Sequence, residues 1–354
     1  RYYTNSFTIG DDAEGEQSFD IAMTKAGAEV WNGSTLTEPK AEKDIYQIAT
    51  GAELAWFADH VNAGNYDKKA VMTKDIDLGD YPWSPIGGNN AKTAFIGEFD
   101  GAGHTVSGLY INSTDTYQGL FGYVNNASIA NVTVDGKITS TNNYVAGIAA
   151  YAAGKSTITR CVNRASVSAK QYVAGVVGYA NGDTEIDRCQ NNADITASSS
   201  MVGGIVSSVN GVNCKMTNCF NSGTISGTGS IGTLVATGNA KSIIENNLNI
   251  GKAVCTGTMT TIGNVRAVTS AATGIKNNYV IEHYTNGKDY ETVVTADQLA
   301  SGEIAVLLGE AWGQNIGKDK TPVIDGKKVY VNEDSYTNNN PAYADIINFE
   351  DVDL

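Results

Sequence analysis

The acidic residues are the first groups whose spacing could do chemistry. Asp75, Asp77 and Asp80 form the pattern D-x-D-x-G-D, three oxygen donors close enough in sequence to be weighed as calcium ligands. The EF-hand pattern breaks after Asp80, so these three are metal candidates by their carboxylates alone. Cleaving a sugar would need two facing carboxylates, or a base beside Arg or Lys. Glu98, Asp100, Asp135, Asp183, Glu185 and Asp187 could be assembled on one face, but a chain with 38 acidic residues scatters such groups anyway. They are expected to be solvated surface charges. No catalytic residue is assigned and no cofactor is expected.

Two tryptophans are candidates for binding, because an exposed aromatic offers large contact area at small entropic cost. Trp83 follows Tyr81-Pro82 in a turn, and Trp31 lies in the polar stretch Glu29-Val-Trp-Asn-Gly33. Trp56 and Trp312 fall on or beside predicted capping helices. The competing role for all four is to close the ends of the fold. The five cysteines, Cys161, Cys189, Cys214, Cys219 and Cys255, are odd in number and contain no C-x-x-C pair. That fits neither a disulfide framework nor a zinc knuckle.

What must position these residues is a repeat. Gly119-Leu-Phe-Gly-Tyr123, Gly147-Ile-Ala-Ala-Tyr151, Gly175-Val-Val-Gly-Tyr179 and Gly204-Ile-Val-Ser-Ser208 recur at steps of 28, 28 and 29 residues. A fixed period of this size marks a stacked architecture. A second element follows in each copy: Ile158-Thr-Arg-Cys161-Val-Asn163, Ile186-Asp-Arg-Cys189-Gln-Asn191, Met216-Thr-Asn-Cys219-Phe-Asn221, with degenerate copies at 244–249 and 275–280. Short alternating segments between Gly, Asn and Ser turns cannot bury an apolar face alone, so equivalent segments must pair with one another. The expectation is an all-β fold, a right-handed single-stranded parallel β-helix (solenoid), the hand following from strand twist.

Ile129, Ile158, Ile186, Met216, Ile244 and Ile275 should then form an interior row. Cys161, Cys189 and Cys219 read as small buried fillers, expected reduced, since ladder geometry does not suit the disulfide torsion. Asn163, Asn191, Asn221 and Asn249 should bond copy to copy through their amides, with left-handed backbone tolerated there. Tyr117, Tyr144 and Tyr172 begin three consecutive coils and could stack inside or outside.

Bare coil ends are exposed strand edges and need covers. Thr50-Gly-Ala-Glu53 is a capping box opening a helix over 52–61, and Thr295-Ala-Asp-Gln298 is another before Leu299–Leu308. Asp325-Gly326, between two apolar stretches, predicts a C-terminal hairpin. The expected division is a β segment or linker over 1–44, a helical cap over 45–69, the β-helix over 70–282, a helix and hairpin cap over 283–331, and an extended tail over 332–354.

The chain carries 24 Lys plus Arg, giving a formal net charge of −14. Such a charge repels phosphate backbones, so nucleic-acid partners are excluded. No segment approaches the ~20 apolar residues that span a bilayer, so membrane insertion by this stretch is not expected. The chain opens on Arg1 without a hydrophobic leader and reads as a mature or excised piece, expected to be monomeric.

Tyr117-Gln-Gly-Leu-Phe-Gly-Tyr-Val124 resembles the GLUG motif. Residues 45–134 look like the module preceding that motif in bacterial surface proteins, on Ala52-Glu-Leu-Ala-Trp-Phe-Ala58, Asp75-Ile-Asp-Leu-Gly79, Trp83-Ser-Pro-Ile-Gly87 and Phe99-Asp-Gly-Ala-Gly-His-Thr-Val106. Gln298-Leu-Ala-Ser-Gly-Glu303 and Trp312-Gly-Gln-Asn-Ile-Gly317 match the usual end of such modules. The resemblance covers about 45–330 and is to IgA1-protease-like and adhesin-like surface proteins of gut bacteria. It implies an extracellular or cell-surface place, and that D-x-D-L-G is an ordinary coil element. The family includes zinc metalloproteases whose separate catalytic domain needs H-E-x-x-H. The three histidines here, His60, His104 and His283, do not form that pattern.

The resulting expectation is a non-catalytic scaffold or adhesin module presenting a β-helix face to a host surface protein or a glycan. The alternatives are a non-catalytic fragment of an IgA-protease-like protein and a polysaccharide-active β-helix enzyme.

Overall fold

The computed structural model describes residues 29–239, 241–257, 261–265, 274–284, 290–331 and 346–348. Three sheets of mainly parallel strands stack into a β-solenoid of about 7 turns. Strand partners lie one coil apart: Ser128–Ala130 pairs with Thr157–Thr159, which pairs with Glu185–Asp187, which pairs with Lys215–Thr217. The middle residue of each points inward, so Phe99, Ile129, Ile158, Ile186, Met216, Ile244 and Ile275 form one continuous register. The predicted interior row is therefore present, and the register extends it through Phe99 to Ala70. Burying each such side chain contributes roughly 1.5–3 kcal/mol, and a like residue above and below keeps the packing uniform.

The turn from this sheet to the next is made by a left-handed residue. Asn131, Arg160, Arg188, Asn218, Asn246 and Asn277 all have φ between 52° and 61°. Sequence reading placed the left-handed tolerance of asparagine three residues later, at the Asn163 row. That is corrected: the corner residue is the one directly before Cys161, Cys189 and Cys219. Those three thiols are fully buried and free, and each donates to carbonyls of its own or the preceding coil, as Cys189 does to Ile158 O at 3.3 Å. Burial holds the Cys161 and Cys189 thiols well above the usual range.

The buried asparagines form an amide ladder. Asn163 Nδ2 donates to Asn191 Oδ1, Asn191 to Asn221, and Asn221 to Asn249, each at 2.8 Å. The second proton of each amide goes to a carbonyl two residues on, such as Ala193 O at 2.9 Å from Asn191. No donor is stranded, which is what a buried polar row requires. The ladder also explains the glycines opening the first repeated segment. A Cβ on Gly147 would sit 2.0 Å from Asn163 Oδ1, and one on Gly175 would sit 2.3 Å from Asn191 Oδ1.

At the N-terminal end the helix α1 (Gly51–Asn62) opens on the predicted capping box, with both Thr50 and Glu53 bonds made. Its buried face carries Leu54, Phe57, Ala58 and Val61, and Phe57 meets Phe95 and Phe99 at 6.2 Å. The coil stack begins earlier than residue 70. Ile45–Ile48 pairs parallel with Lys69–Met72, only 24 residues on (45 to 69), so α1 belongs to the first, shortened coil. Of the expected 1–44 segment, residues 1–28 lie outside the described residues; Val30 bridges Asp77, and Ala41–Glu42 pairs antiparallel with Ile45–Ile48.

The C-terminal elements are placed differently from expectation. The helix predicted over 299–308 is broken at Gly302 (φ 89°) into α2 (Ala296–Ala300) and α3 (Glu303–Leu308). These pack on the outside of the solenoid rather than over its end, where Leu248 and Tyr279 meet Leu299, Ile304, Leu308 and Trp312. Trp312 Nε1 donates to Asn246 O at 3.2 Å. Asp325 reaches back further: Arg160 Nε donates to Asp325 Oδ2 at 2.7 Å, while Arg188 Nε lies 3.2 Å from Oδ1 without hydrogen-bond geometry. The antiparallel pair at this end joins Trp312–Gly313 to Val323–Ile324, not the strands across Asp325-Gly326. Val329–Val331 pairs instead with Ile346–Asn348; the remainder of the expected tail 332–354 lies outside the described residues.

Candidate functional site

Between the corner that enters the second sheet and the outer face of that sheet, the repeat places six tyrosines in two rows. Tyr117, Tyr144 and Tyr172 have φ of 61°, 61° and 54°. A bulky side chain in this region costs on the order of 1–3 kcal/mol each, and such positions persist only where their surroundings impose them. Tyr123, Tyr151 and Tyr179 lie on the sheet itself, in register with one another. Their strand neighbours Val124, Ala152 and Ala180 are buried, so alternation turns the tyrosines outward.

Within the first row the rings are parallel, Tyr117 to Tyr144 at 5.0 Å and 4°, Tyr144 to Tyr172 at 4.8 Å and 1°. Within the second, Tyr123 to Tyr151 is 4.4 Å at 20° and Tyr151 to Tyr179 is 5.0 Å at 12°. The two rows meet edge to face, as Tyr144 and Tyr179 do at 5.8 Å and 79°. Aromatic pairs in these geometries contribute about 0.5–1.5 kcal/mol each beyond area burial. The rings therefore brace one another, and a braced ring can meet a partner without first losing much rotamer freedom.

All six tyrosines are partly buried, so each keeps some surface open to solvent. Packing against each other and burial push the Tyr123 and Tyr144 hydroxyls up to about 12, with burial the larger cause in both. The hydroxyls are thus neutral at ordinary pH and can both donate and accept. Asn125, Asn181 and Asn210 border the second row, and Asn181 Nδ2 donates to the Tyr151 hydroxyl at 3.4 Å. The array ends where Met201 and Ser208 replace the two tyrosines in the next coil.

The candidates read from sequence fall elsewhere. Trp83 and Trp31 are 6% and 8% exposed and pack edge to face at 6.3 Å. Trp83 Nε1 donates to Leu120 O and Trp31 Nε1 to Thr35 O. Both belong to the N-terminal core, so neither is displayed to a partner. The assignment of these two as binding anchors is corrected on that ground. Trp56 stacks on His60 at 4.5 Å, both on α1, and Trp312 belongs to the C-terminal brace.

Asp75, Asp77 and Asp80 do not converge on a common point. Asp75 Oδ1 accepts from Thr105 N at 3.1 Å and lies 3.2 Å from His104 Nδ1, while Asp77 Oδ1 caps Gly79 N at 2.8 Å. Among the described residues no group of three metal-ligating side chains comes together. Four of the other six carboxylates are engaged with neighbours in their own or the adjacent coils. Glu98 pairs with Lys69, Asp100 accepts from Asn131, Asp183 from Asn213, and Asp187 from Arg188, Thr217 and Asn218.

The sequence did hold the signal for the tyrosine face. Tyr117, Tyr144 and Tyr172 recur at steps of 27 and 28 residues, and Tyr123, Tyr151 and Tyr179 end three successive copies of one motif. Which way the first row points could not be read, because a left-handed residue interrupts the in-out alternation of a strand.

No family model matches the chain, and no curated protein matches it. Among solved structures, it is similar to a putative immunoglobulin A1 protease from Bacteroides ovatus at 16% identity and TM-score 0.47, over 79% of this chain and 92% of that one.

Proposed function

We propose that this protein is a non-catalytic scaffold or adhesin module of the cell surface, and that its tyrosine face is where it meets a host protein or a glycan. The observation that carries this is the pair of braced tyrosine rows, partly open to solvent on the solenoid. Tyrosine and asparagine together are the composition of a binding face: the rings supply rigid amphipathic area, and the amides supply adaptable hydrogen bonds. The non-catalytic part is supported by Glu98, Asp100, Asp183 and Asp187, whose carboxylates are occupied by neighbouring side chains.

The test is an array of glycans and host surface proteins probed with the full chain, run beside an activity screen on immunoglobulin A and polysaccharides. Binding that is lost in Tyr151→Ala, and weakened in Tyr151→Phe at a melting temperature close to the parent's because the ring stack is kept, is the expected outcome. Turnover of any substrate would overturn the non-catalytic reading, and binding indifferent to the tyrosines would overturn the face.

A further inference from the structure

We infer that the occupant of the tyrosine face is a neutral glycan chain lying along the solenoid axis. This rests on the docking reading above and goes beyond it by fixing the chemistry of the partner. Charge is the first argument. The chain has 38 acidic and 24 basic residues, yet the two rows and the asparagines beside them contain none. Charged residues begin only at the bordering turns, at Asp115, Lys155, Lys170 and Asp183. A face built for an acidic glycan or a charged peptide would place cations among the rings, and the net charge of −14 would repel acidic polymers further.

Hydrogen-bonding capacity is the second argument. Phenol and amide groups both donate and accept, as do the hydroxyls of a sugar, so the face can satisfy such a ligand without regard to which partner carries the proton. Ring surface beside those groups suits the apolar C–H patches of a pyranose.

Periodicity is the third argument, and it separates a glycan from a protein. Two tyrosines recur at each of three coils, with ring spacings of 4.4–5.0 Å along the axis. A polymer of like units can meet successive coils through similar contacts. The surface of a folded protein does not repeat along a line, so it would use the rows unevenly.

The experiment is affinity gel electrophoresis of the full chain at neutral pH. The probes are dissolved neutral polysaccharides (a galactomannan, an arabinoxylan and a mixed-linkage glucan), the anionic polymers heparin and polygalacturonate, and purified immunoglobulin A. The expected result is retardation by at least one neutral polysaccharide, insensitive to added salt and weakened about tenfold in Tyr151→Ala. Leu307→Ala, exposed on α3 beside the Asn277 corner and away from the rows, should bind as the parent does. Tyr151→Phe guards against a folding defect: it keeps the ring stack and should weaken binding less than the alanine variant. Retardation by anionic polymers alone, abolished by salt, overturns the inference. So does failure of every neutral polysaccharide to retard the chain. Binding of immunoglobulin A through the tyrosines, with no neutral glycan retained, overturns the inference and leaves the docking face standing. Neutral-glycan binding unaffected by either Tyr151 substitution overturns both.

Discussion

The asparagine ladder and the tyrosine rows are built by the same rule and do opposite things. Each repeats one side chain at coil spacing, Asn163 to Asn249 inside and Tyr117 to Tyr179 outside. Inside, each amide spends its donors on the next coil and on a carbonyl two residues away, so nothing remains for a partner. Outside, the rings pack on one another laterally and stay partly exposed, and a hydroxyl that accepts, as Tyr151 does from Asn181, keeps its own proton to donate. Repetition therefore does not distinguish a structural row from a binding one. What distinguishes them is whether the row consumes its own polar capacity.

The interior row should be the more costly to break. Gly175→Ala would place a Cβ 2.3 Å from Asn191 Oδ1 and 2.5 Å from Gly204 O, and the second is backbone that cannot step aside. Overpacking of this kind costs roughly 1–3 kcal/mol and occasionally more; here the upper end is expected, read as a fall in denaturant midpoint. Should Gly175→Ala be as stable as the parent, the close approach of glycine and amide rows is wrong. Asn191→Ala comes next. It strands an Asn163 donor and an Asn221 acceptor site, each removal of a buried partner costing about 1–3 kcal/mol. A loss no larger than that of a surface substitution would mean the ladder contributes no stability.

A smaller and condition-dependent effect belongs to the tyrosines. Their folded-state hydroxyls at Tyr123 and Tyr144 are pushed up to about 12 from an ordinary 10.0, so the neutral form is favoured by folding. That stabilisation is fully present below the ordinary value and is lost as pH rises from there through about 12. Melting temperature should decline across that window, and Tyr144→Phe should flatten the decline because it cannot ionise. An unchanged slope in Tyr144→Phe would place the alkaline loss elsewhere.

The period made the sheets and the Ile158-to-Ile275 interior row legible, because period-2 alternation fixes which residues face inward within a strand. Alternation stops at a left-handed corner, which is why the direction of Tyr117, Tyr144 and Tyr172 could not be read. For Trp83 and Trp31 the sequence offered two roles, display to a partner and closure of the fold's end, and it is the second that holds, through aromatic packing that only tertiary contact reveals. Gly302 likewise broke a helix whose capping box and apolar spacing both argued for continuity. The C-terminal brace was beyond reach from sequence. Nothing local to Trp312 or Asp325 shows that their partners are Asn246 and Arg160, 66 and 165 positions away.

The smallest effect tests the exposed side of the rule. Arg160 and Arg188 occupy equivalent corners and converge on Asp325, so they too form a repeated polar row, now in contact with solvent. Arg160 and Asp325 are 47% and 44% exposed, and water and salt screen such a pair. Exposed ion pairs contribute about 0.2–1 kcal/mol. Asp325→Asn keeps the size of the side chain while removing the charge both guanidiniums face. It should lower the melting temperature slightly at low ionic strength, and the difference from the parent should vanish near 1 M salt, where screening acts over roughly 3 Å. A loss that persists at high salt and rivals that of Asn191→Ala would show that this outer row is spent on the fold as fully as the inner one. Exposure would then no longer separate the rows that hold the solenoid together from those left open to a partner.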